Sequence, residues 1–367
     1  MINKLRVGIL FGGRSAEHEV SLQSAKSIID SLDRSKYDVV LIGIDKTGKW
    51  YLNDASKFLL NDEDPSLIKL NTASAKEVAL VPGEAVNQLV PMSGSEQLGH
   101  LDVVFPVLHG PFGEDGTVQG LLKLANIPFV GVSVLGSAVG MDKDVTKRLL
   151  REAGIPTPKF MTFDRMKPAD IPFEHVKKGL GLPVFIKPAN LGSSVGIHKA
   201  HDAKEFNAGV KDALSFDTKI IIEEAIDGRE LECAVLGNEN PEASLPGEVR
   251  PSHEFYDYEA KYIDEYGAAL DIPAKVNEDV VHRVKELAVR TFMTLGCEGM
   301  ARVDFFLKKD GGLMVNEINT IPGFTKISMY PKLWQASGVP FDELLDRLIR
   351  LAIERFEREK GLRTSYT

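Results

Sequence analysis

Cysteine is scarce in this 367-residue chain, which contains only Cys233 and Cys297. Neither residue belongs to a CxxC or CxxH arrangement, so the sequence gives no support to a thiolate metal site. Two buried, reduced thiols in a cytosolic protein are the expectation.

The chain also lacks an excess of positive charge and any long apolar run. Its net charge is −9, which argues against a broad basic face for nucleic acid. No apolar stretch is long enough to cross a bilayer, and glycines 12 and 13 interrupt the N-terminal run before it could form a signal-peptide core. The expectation is a cytoplasmic protein with neither nucleic acid nor membrane as partner.

Short apolar runs alternate with helical patterns through the first third of the chain. The predicted strands are Val7–Phe11, Val39–Ile44, Val103–Leu108 and Phe129–Val132, and the predicted helices are Ser21–Leu32 and Val118–Ala125. Strands separated by helices predict a parallel sheet covered on both faces. We therefore expect an N-terminal α/β domain over residues 1–140, with an irregular elaboration at 53–100.

The rest of the chain predicts two further units of α+β character. A helix at Asp144–Ala153 and strands at Val184–Lys187, Ile197–Lys199 and Ile220–Glu224 indicate a small central domain over residues 141–225. Further strands and two amphipathic helices, Val280–Leu295 and Phe341–Phe356, indicate a C-terminal domain over residues 226–367.

The most informative stretch is a predicted hairpin between Met300 and Asn319. Asp310-Gly311 between two apolar runs is a strong signal for a two-residue turn. With that turn, Asp304 lies opposite Glu317 and Arg302 lies opposite Asn319. Because residues two apart on a strand share a face, all four side chains project from one side.

Two directly opposed carboxylates repel each other, and a bound cation removes that penalty. Ligands that are all oxygen, without His or Cys, indicate Mg²⁺ or Mn²⁺ rather than zinc. Asp304, Glu317 and Asn319 are therefore the candidate metal ligands. The alternative is a solvated hairpin face with an Arg–Asp pair, which four polar groups in this register disfavour.

A glycine- and serine-rich loop, Gly192-Ser193-Ser194-Val-Gly196, joins two predicted strands of the central domain. It is not a Walker A loop, but its small residues and free N–H groups could cover phosphates. Lys187 lies within an apolar strand and so needs an anionic partner. Lys143 is a second phosphate candidate, although in isolation it would be placed at the surface.

Acidic residues follow the strand that begins at Ile220. The candidate nucleotide contacts in and after it are Glu223, Glu224, Ala225, Ile226 and Glu230, and Asn316 and Glu317 on the hairpin complete the set. The functional interpretation is a linker that binds adenine and ribose. The simpler alternative is a solvated loop or the start of a helix.

Taken together, these stretches resemble the D-alanine–D-alanine ligases of the ATP-grasp superfamily along nearly the whole chain. The stretches that carry the resemblance are Gly12–Ser21, His109–Thr117, Gly192–Gly196, Phe255–Tyr262 and Asn319–Thr325. The resemblance implies an ATP-grasp fold preceded by an N-terminal parallel-sheet domain. It also implies that ATP, with two Mg²⁺ or Mn²⁺ ions, drives the joining of two D-alanines through an acyl phosphate for peptidoglycan precursors.

The resemblance assigns roles to individual residues. Glu17 would pair with the ammonium of the first D-alanine, His109 would lie near that substrate, and Ser328 would bind the carboxylate of the second. Arg302 and the Gly323 N–H would stabilise the oxyanion, and Lys143 and Lys187 would hold the α- and β-phosphates. Ser193 and Tyr262 would fasten a loop over the site with Glu17, and Lys261 beside Tyr262 is a further substrate contact.

Several alternatives stay open from the sequence. Tyr262 favours a dipeptide-forming enzyme over a D-alanine–D-lactate ligase, whose members often have His there; another ATP-grasp carboxylate–amine ligase is the related alternative. A non-catalytic nucleotide-binding protein and a structural protein are the other classes, and the intact hairpin face disfavours both. A homodimer is suggested by the resemblance alone.

Overall fold

The computed structural model describes residues 4–62, 64, 67–84, 86–94, 96–251, 268–325, 327–363 and 365–366. The strands in this part of the chain are β1 Leu5–Gly12, β2 Tyr37–Ile44, β3 Trp50–Asn53, β4 Leu59–Leu60, β5 Lys69–Leu70, β6 Lys76–Leu80, β7 Leu89–Pro91, β8 Val103–Val107, β9 Phe160–Asp164, β10 Val184–Pro188, β11 His198–Ala200, β12 Lys219–Glu224, β13 Gly228–Gly237, β14 Glu242–Ala243, β15 Gly247–Pro251, β16 Ala268–Asp271, β17 Gly299–Lys308 and β18 Leu313–Asn319. The α-helices are α1 His18–Ser31, α2 Thr117–Leu124, α3 Val134–Met141, α4 Lys143–Glu152, α5 Phe173–Leu180, α6 Ala203–Phe216, α7 Glu278–Thr294, α8 Met329–Ala336 and α9 Phe341–Lys360.

The first sheet has the order β7-β6-β3-β2-β1-β8. Its parallel part is β2-β1-β8, as the alternating pattern predicts, and β3, β6 and β7 extend it by antiparallel pairing. The irregular region at 53–100 thus supplies strands that widen this sheet. The strand predicted at Phe129–Val132 is wrong: only Phe129 bridges to Val104, and Gly131 has a φ of +97°, which interrupts extended backbone.

Two more sheets carry the rest of the chain. The central sheet has the order β11-β10-β12-β9 and packs against α5 and α6 around its own core. The third sheet has the order β16-β15-β13-β17-β18, with β14 added to β13. Helix α7 covers one face of it, and the stripe of apolar residues predicted for this helix is the buried stripe.

The N-terminal sheet and the C-terminal helices share one continuous core. Phe105 of β8 meets Phe324 with ring centroids 5.8 Å apart, and Phe324 meets Tyr330 of α8 at 5.6 Å. Helix α9 contributes Leu344, Leu345, Leu348 and Ile349 to the same cluster. This shared core fixes the loop after β18 against the carboxyl end of the first sheet. The domain boundaries near residues 140 and 225 stay a prediction.

Local sequence explains where the elements near the site begin. The Asp142 carboxylate accepts hydrogen bonds from the N–H groups of Asp144 and Val145 at 3.1 Å, so α4 begins at Lys143. Helix α3, which precedes it, has no counterpart in the sequence prediction. Cys233 and Cys297 are both buried free thiols, as expected, and burial raises the pKa of each to about 12. No helix among the described residues has the length and apolarity to cross a bilayer.

Candidate active site

The hairpin β17–β18 brings the four predicted polar residues to one face. Arg302 lies opposite Asn319, and Asp304 lies opposite Glu317, as the sequence predicts. The flanking residues Val303 and Phe305 are buried on the other face, with 0% and 1% of their surface exposed. The alternation of strand side chains therefore separates a core face from a polar face.

The turn of this hairpin differs from the prediction. Lys308 N–H donates to the Gly312 carbonyl at 2.9 Å, so the loop has three residues rather than two. Gly311 takes a φ of +82° there, which places the left-handed residue at the end of a three-residue loop. The predicted two-residue turn is wrong. Asp310 lies in a β-turn that the Gly311 N–H closes by donating to the Lys308 carbonyl at 3.0 Å, and Gly311 adds a third residue to the loop. The Asp310 carboxylate also accepts a hydrogen bond from the Gly312 N–H.

A bulge in β18 restores the predicted pairing at the site. Phe305 pairs with Val315, but Asp304 pairs with Glu317, so Asn316 is the extra residue. Without this bulge Asp304 would face Asn316, and Glu317 would project toward the core. The polar face therefore depends on Asn316.

Arg302 is held between carboxylates. Its Nε and Nη2 donate to the two oxygens of Asp304 at 2.7 Å each, and its Nε lies 2.8 Å from Oε2 of Glu232. Burial by itself lowers the pKa of Arg302, but the charges of Asp304 and Glu232 outweigh it and raise that pKa well above its ordinary value. The guanidinium is thus a fixed, permanent positive charge.

A cavity in front of Arg302 gathers the residues predicted to bind the amino acids. Five of the predicted substrate residues line it: Glu17, His109, Arg302, Gly323 and Ser328. Glu17 lies just before α1, beyond the end of β1, and His109 follows β8. Since β1 and β8 are parallel neighbours, their carboxyl ends place both side chains at the same edge, where α/β sheets commonly bind ligands.

His109 is fully surrounded by hydrogen-bonding groups. Its Nδ1 lies 3.2 Å from the Ile321 carbonyl, which can only accept, so Nδ1 carries a proton. Its Nε2 lies 3.2 Å from the Ser24 hydroxyl, and Glu114 is 3.9 Å from Nδ1. Burial lowers the pKa of His109, but Glu114 and Glu17 outweigh burial, and the pKa is raised above its ordinary value.

Gly323 and Ser328 lie on the loop between β18 and α8. Ser328 Oγ accepts a hydrogen bond from the Thr325 N–H at 3.0 Å and lies 2.8 Å from the Thr325 hydroxyl. A Cβ on Gly323 would come within 2.7 Å of Ser328 Oγ, so only glycine lets the two residues approach this closely.

A second cleft collects the residues predicted to bind the nucleotide. All twelve predicted nucleotide contacts line it: Lys143, Lys187, Gly192, Ser193, Ser194, Glu223, Glu224, Ala225, Ile226, Glu230, Asn316 and Glu317. It lies between the central sheet and the third sheet, because Lys187 is on β10 and Glu317 is on β18.

The two lysines predicted to bind phosphates in this cleft, Lys143 and Lys187, are buried. Lys143 Nζ donates to the Leu191 carbonyl at 2.7 Å and lies 3.5 Å from Glu317 Oε2. Lys187 Nζ donates to Glu223 Oε2 at 2.8 Å. Burial lowers the pKa of Lys187, but Glu223 and Glu317 outweigh it and raise the pKa above its ordinary value. Both cations therefore face the place where phosphates would lie.

The glycine-rich loop closes over the boundary between the two cavities. Ser193 Oγ donates to Glu17 Oε1, and Ser193 and Ser194 adopt positive φ values of 50° and 60°. Gly192 and Ser193 line both cavities, as does Glu317. A phosphate at this boundary would therefore be adjacent to a substrate carboxylate beside Arg302.

The polar face of the hairpin presents an all-oxygen donor set for a divalent cation. Asn319 Nδ2 donates to Asp304 Oδ2 at 2.9 Å, so the amide oxygen is the atom of Asn319 that could bind a cation. Within the described residues no three His, Cys, Asp or Glu side chains cluster as metal ligands, and that part of the chain offers two carboxylates, Asp304 and Glu317, with this amide. Such a sparse oxygen set fits an ion that keeps waters and phosphate oxygens as its other ligands. The side-chain oxygen of Asn316, buried and without a hydrogen-bond partner in the described structure, adds an acceptor in the cleft.

Sequence reasoning missed several residues of these cavities. Glu232 lies two residues after Glu230 on β13, so the period-two alternation could have identified it. Lys147 does not line either cavity but contacts Glu223 of the nucleotide cleft; it lies one helical turn after Lys143, a spacing that places both on one side of α4. Glu114 and Thr325 had no signal beyond their motifs. The predicted contacts Lys261 and Tyr262 lie outside the described residues.

The sequence matches two family models that together span most of the chain. One is described as the D-ala D-ala ligase N-terminus and matches residues 6–132, and the other as the D-ala D-ala ligase C-terminus and matches residues 149–350. A D-alanine–D-alanine ligase of Oceanobacillus iheyensis is 57% identical over 362 residues, with 99% of each chain covered. D-alanine–D-alanine ligase A of Escherichia coli K12 is 53% identical over 364 residues, covering 99% of this chain and 100% of its own.

Solved structures give the same result. The D-alanine–D-alanine ligase from Coxiella burnetii superposes with a TM-score of 0.83 at 39% identity, covering 97% of this chain and 96% of its own. The VanG D-Ala:D-Ser ligase from Enterococcus faecalis also has a TM-score of 0.83, at 38% identity, covering 95% of this chain and 100% of its own.

Proposed function

The chain belongs to the D-alanine–D-alanine ligase family, and we propose that its two adjoining cavities carry out the ATP-dependent joining of two D-alanines. The observation that carries this proposal is the position of Glu317. It lines both the cleft that holds the predicted nucleotide contacts and the cavity that holds the predicted substrate contacts. A residue in both places connects phosphate binding to substrate activation.

The nucleotide cleft receives ATP with its phosphates toward Lys143 and Lys187. Glu224, Ala225 and Ile226 follow β12 and would contact the base, while Glu230 on β13 would contact the ribose. Asp304, Glu317 and Asn319 would hold Mg²⁺ or Mn²⁺. When bound, these ions neutralise the β- and γ-phosphate charge that would otherwise repel an attacking carboxylate.

The first D-alanine binds with its ammonium at Glu17 and its carboxylate toward Arg302. A carboxylate oxygen attacks the γ-phosphorus of ATP, the bond to the β,γ-bridging oxygen breaks, and ADP leaves. The product is an acyl phosphate. Arg302 balances the negative charge on the transferring group, and it remains charged throughout because of its raised pKa.

The second D-alanine binds with its carboxylate at Ser328. Its neutral amine attacks the carbonyl carbon of the acyl phosphate, and the carbonyl oxygen becomes an oxyanion beside Arg302 and the Gly323 N–H. The C–O bond to phosphate then breaks, and inorganic phosphate and the dipeptide leave. The amine gives up one proton overall.

The closed loop at Ser193 excludes water from the acyl phosphate, which water would hydrolyse. Its hydrogen bond to Glu17 joins the loop to the residue that binds the first substrate. Closure of the loop is thereby coupled to Glu17, a residue of the N-terminal domain.

The second substrate is the point at which the similar proteins differ. The VanG structure is titled a D-Ala:D-Ser ligase, so D-serine is a candidate acceptor alongside D-lactate. We propose D-alanine, on the basis of the full-length relatives with 57% and 53% identity. The test incubates the protein with ATP, Mg²⁺ and D-alanine, either without a competitor or with D-serine or D-lactate at the same concentration as D-alanine. Mass spectrometry identifies the products. D-alanyl-D-alanine as the main product supports it, and a mixed product in excess would overturn it.

The homodimer suggested by the resemblance, and the cytoplasmic location expected from the lack of a signal-peptide core and of a long apolar run, also remain part of the proposal. Light scattering of the purified protein tests the first, and fractionation of cells that express it tests the second.

A further inference from the structure

Lys147 on α4 is a buried lysine that lines neither cavity. Only 1% of its surface is exposed. Its ammonium lies 3.0 Å from Glu223 Oε1, and it donates to the Thr157 hydroxyl and to the Asn316 carbonyl, each at 3.1 Å. Two hydrogen bonds and one ion pair therefore hold the ammonium inside the protein. Burial lowers the pKa of Lys147 below its ordinary value, and the negative charge of Glu223 opposes that shift.

Glu223 connects Lys147 to the nucleotide cleft. Its second oxygen, Oε2, accepts the hydrogen bond from Lys187, and only 2% of Glu223 is exposed. Its carboxylate thus lies between two lysines, and the residue also lines the cleft. Burial raises the pKa of Glu223, but Lys147 and Lys187 outweigh it and bring the pKa to about 2. The carboxylate is therefore ionised at neutral pH.

The net charge of Lys147, Glu223 and Lys187 together determines the electrostatic field that a phosphate in the cleft would experience. With both lysines protonated, Lys147, Lys187 and Glu223 carry a net charge of +1, and Lys187 is the member of the three whose ammonium faces the cleft. Without Lys147, Glu223 would neutralise Lys187 entirely. Inside a protein such a pair attracts a third charge only weakly, because its two fields nearly cancel.

We propose that Lys147 is a positioning residue for the nucleotide phosphates: it neutralises Glu223, so that Lys187 presents a net positive charge to the polyphosphate. This proposal rests on the proposed function, in which the cleft binds ATP. Glu223 in turn allows both lysines to be buried, since neither could remain charged in the interior without an anion.

A purely structural role is the competing explanation. Lys147 also joins α4 to the bulge residue Asn316, so its loss could disturb the cleft without any effect of charge. The two explanations differ in what happens when Glu223 is neutralised as well. A charge role predicts recovery of phosphate binding, and a structural role predicts none.

The test compares Lys147→Met with the double variant Lys147→Met/Glu223→Gln. Methionine keeps the length of the lysine without its charge, and glutamine removes the carboxylate that would then neutralise Lys187. Val210→Ala is the control. Val210 is buried in the apolar core between α6 and the central sheet, so this substitution disturbs packing without changing any charge. Calorimetry measures the Kd for ADP with Mg²⁺, and thermal melting without ligand measures folding.

We expect Lys147→Met to weaken ADP binding about tenfold, or about 1.4 kcal/mol. The double variant should return to within about threefold of the wild type, and Val210→Ala should change the Kd less than about twofold even where its melting temperature falls. An unchanged Kd in Lys147→Met would overturn the proposal. So would a folded double variant that binds as weakly as Lys147→Met.

If Lys147→Met does not fold, the double variant decides the matter. Binding within about threefold of the wild type supports the charge role, and binding more than about tenfold weaker overturns it. Failure of the wild type to bind ADP would instead contradict the proposed function, which keeps the two failures distinguishable.

Discussion

Asp304 and Glu317 face each other across β17 and β18 because an extra residue, Asn316, bulges out of β18 between the loop and the site. The loop alone would have set the two carboxylates on opposite faces. The bulge therefore determines the polar face and with it the proposed metal site.

Glu317→Gln tests the role of this face. The substitution keeps the shape of the side chain but removes its charge, so the proposed ion loses one of two carboxylate ligands. We expect kcat to fall by about a hundredfold or more, with a higher Mg²⁺ requirement, while the thermal midpoint changes little. Steady-state assays across Mg²⁺ concentrations check this, with the exposed Glu242→Gln as control. Wild-type turnover in Glu317→Gln would remove the basis of the metal assignment.

Much of this face was predictable, but for a partly mistaken reason. Alternation along Arg302–Asp304 and Glu317–Asn319 needs only the two-residue period of a strand, which sequence displays directly. The loop length depends on Gly311, whose positive φ adds a third residue to the turn. At the bulge the Asn316 carbonyl accepts a hydrogen bond from Lys147 of α4, a long-range contact that the strand pattern does not display. The third loop residue shifts the strand register by one residue, and the bulge at Asn316 shifts it back. The predicted pairing was therefore right although the predicted turn was wrong.

The burial of Lys143 and Lys147 was harder to predict from the sequence. Lys143 was predicted as a phosphate contact from the resemblance, whereas taken alone it would be placed at the surface; its burial follows from the contacts with the Leu191 carbonyl and Glu317. Lys147 lies directly between Thr146 and Arg148 on a helix rich in charged residues, where a lysine is ordinarily solvated, so the sequence did not mark it as buried. The strand predicted at Phe129–Val132 failed because the local run is apolar, while the positive φ of Gly131 is set by packing against Met300 and Gly299.

Gly110→Ala tests how closely the first-substrate pocket is packed. Gly110 has a φ of +74°, and a Cβ there would lie 2.5 Å from Glu17 Oε2. Gly154 has a similar φ of +66° with open space around it. Both alanine variants should lose about 1 kcal/mol of stability from backbone strain, but only Gly110→Ala displaces Glu17. We expect its KM for the first D-alanine to rise about tenfold or more.

Gly154→Ala is therefore the matched control for backbone strain. Kinetics at limiting D-alanine, with unfolding by urea, separate the two effects. Equal KM values in the two variants would show that Glu17 does not need the space beside Gly110.

Ser193→Ala tests the closed loop. The change removes the hydrogen bond to Glu17, so water should reach the acyl phosphate more often. We expect the ratio of phosphate released to dipeptide formed to rise above that of the wild type. The control is Ser215→Ala. Ser215 is an exposed serine of α6 whose hydroxyl donates to the Asp212 carbonyl within the same helix. A ratio that stays at the wild-type value would show that this hydrogen bond does not protect the intermediate.

The depressed pKa of Glu223 predicts a specific acid dependence of stability. Its folded pKa of about 2 lies below its ordinary value of 4.5, so its contribution is present above about pH 4.5 and is lost as the pH falls toward 2. The shift corresponds to about 3 kcal/mol at neutral pH, and more than half is lost by about pH 3. The difference in unfolding free energy between wild type and Lys147→Met/Glu223→Gln should therefore shrink from pH 5 to pH 3. A difference that stays constant would contradict this assignment.

Transfer of ¹⁸O from D-alanine to phosphate tests the central claim most directly. The protein is incubated with ATP, Mg²⁺ and D-alanine that carries ¹⁸O in its carboxylate. Mass spectrometry then measures the ¹⁸O content of the released phosphate and of the dipeptide. If the carboxylate attacks the γ-phosphorus beside Arg302 and Glu317, one ¹⁸O appears in each phosphate for each D-alanyl-D-alanine formed. Dipeptide accompanied by unlabelled phosphate would contradict the account.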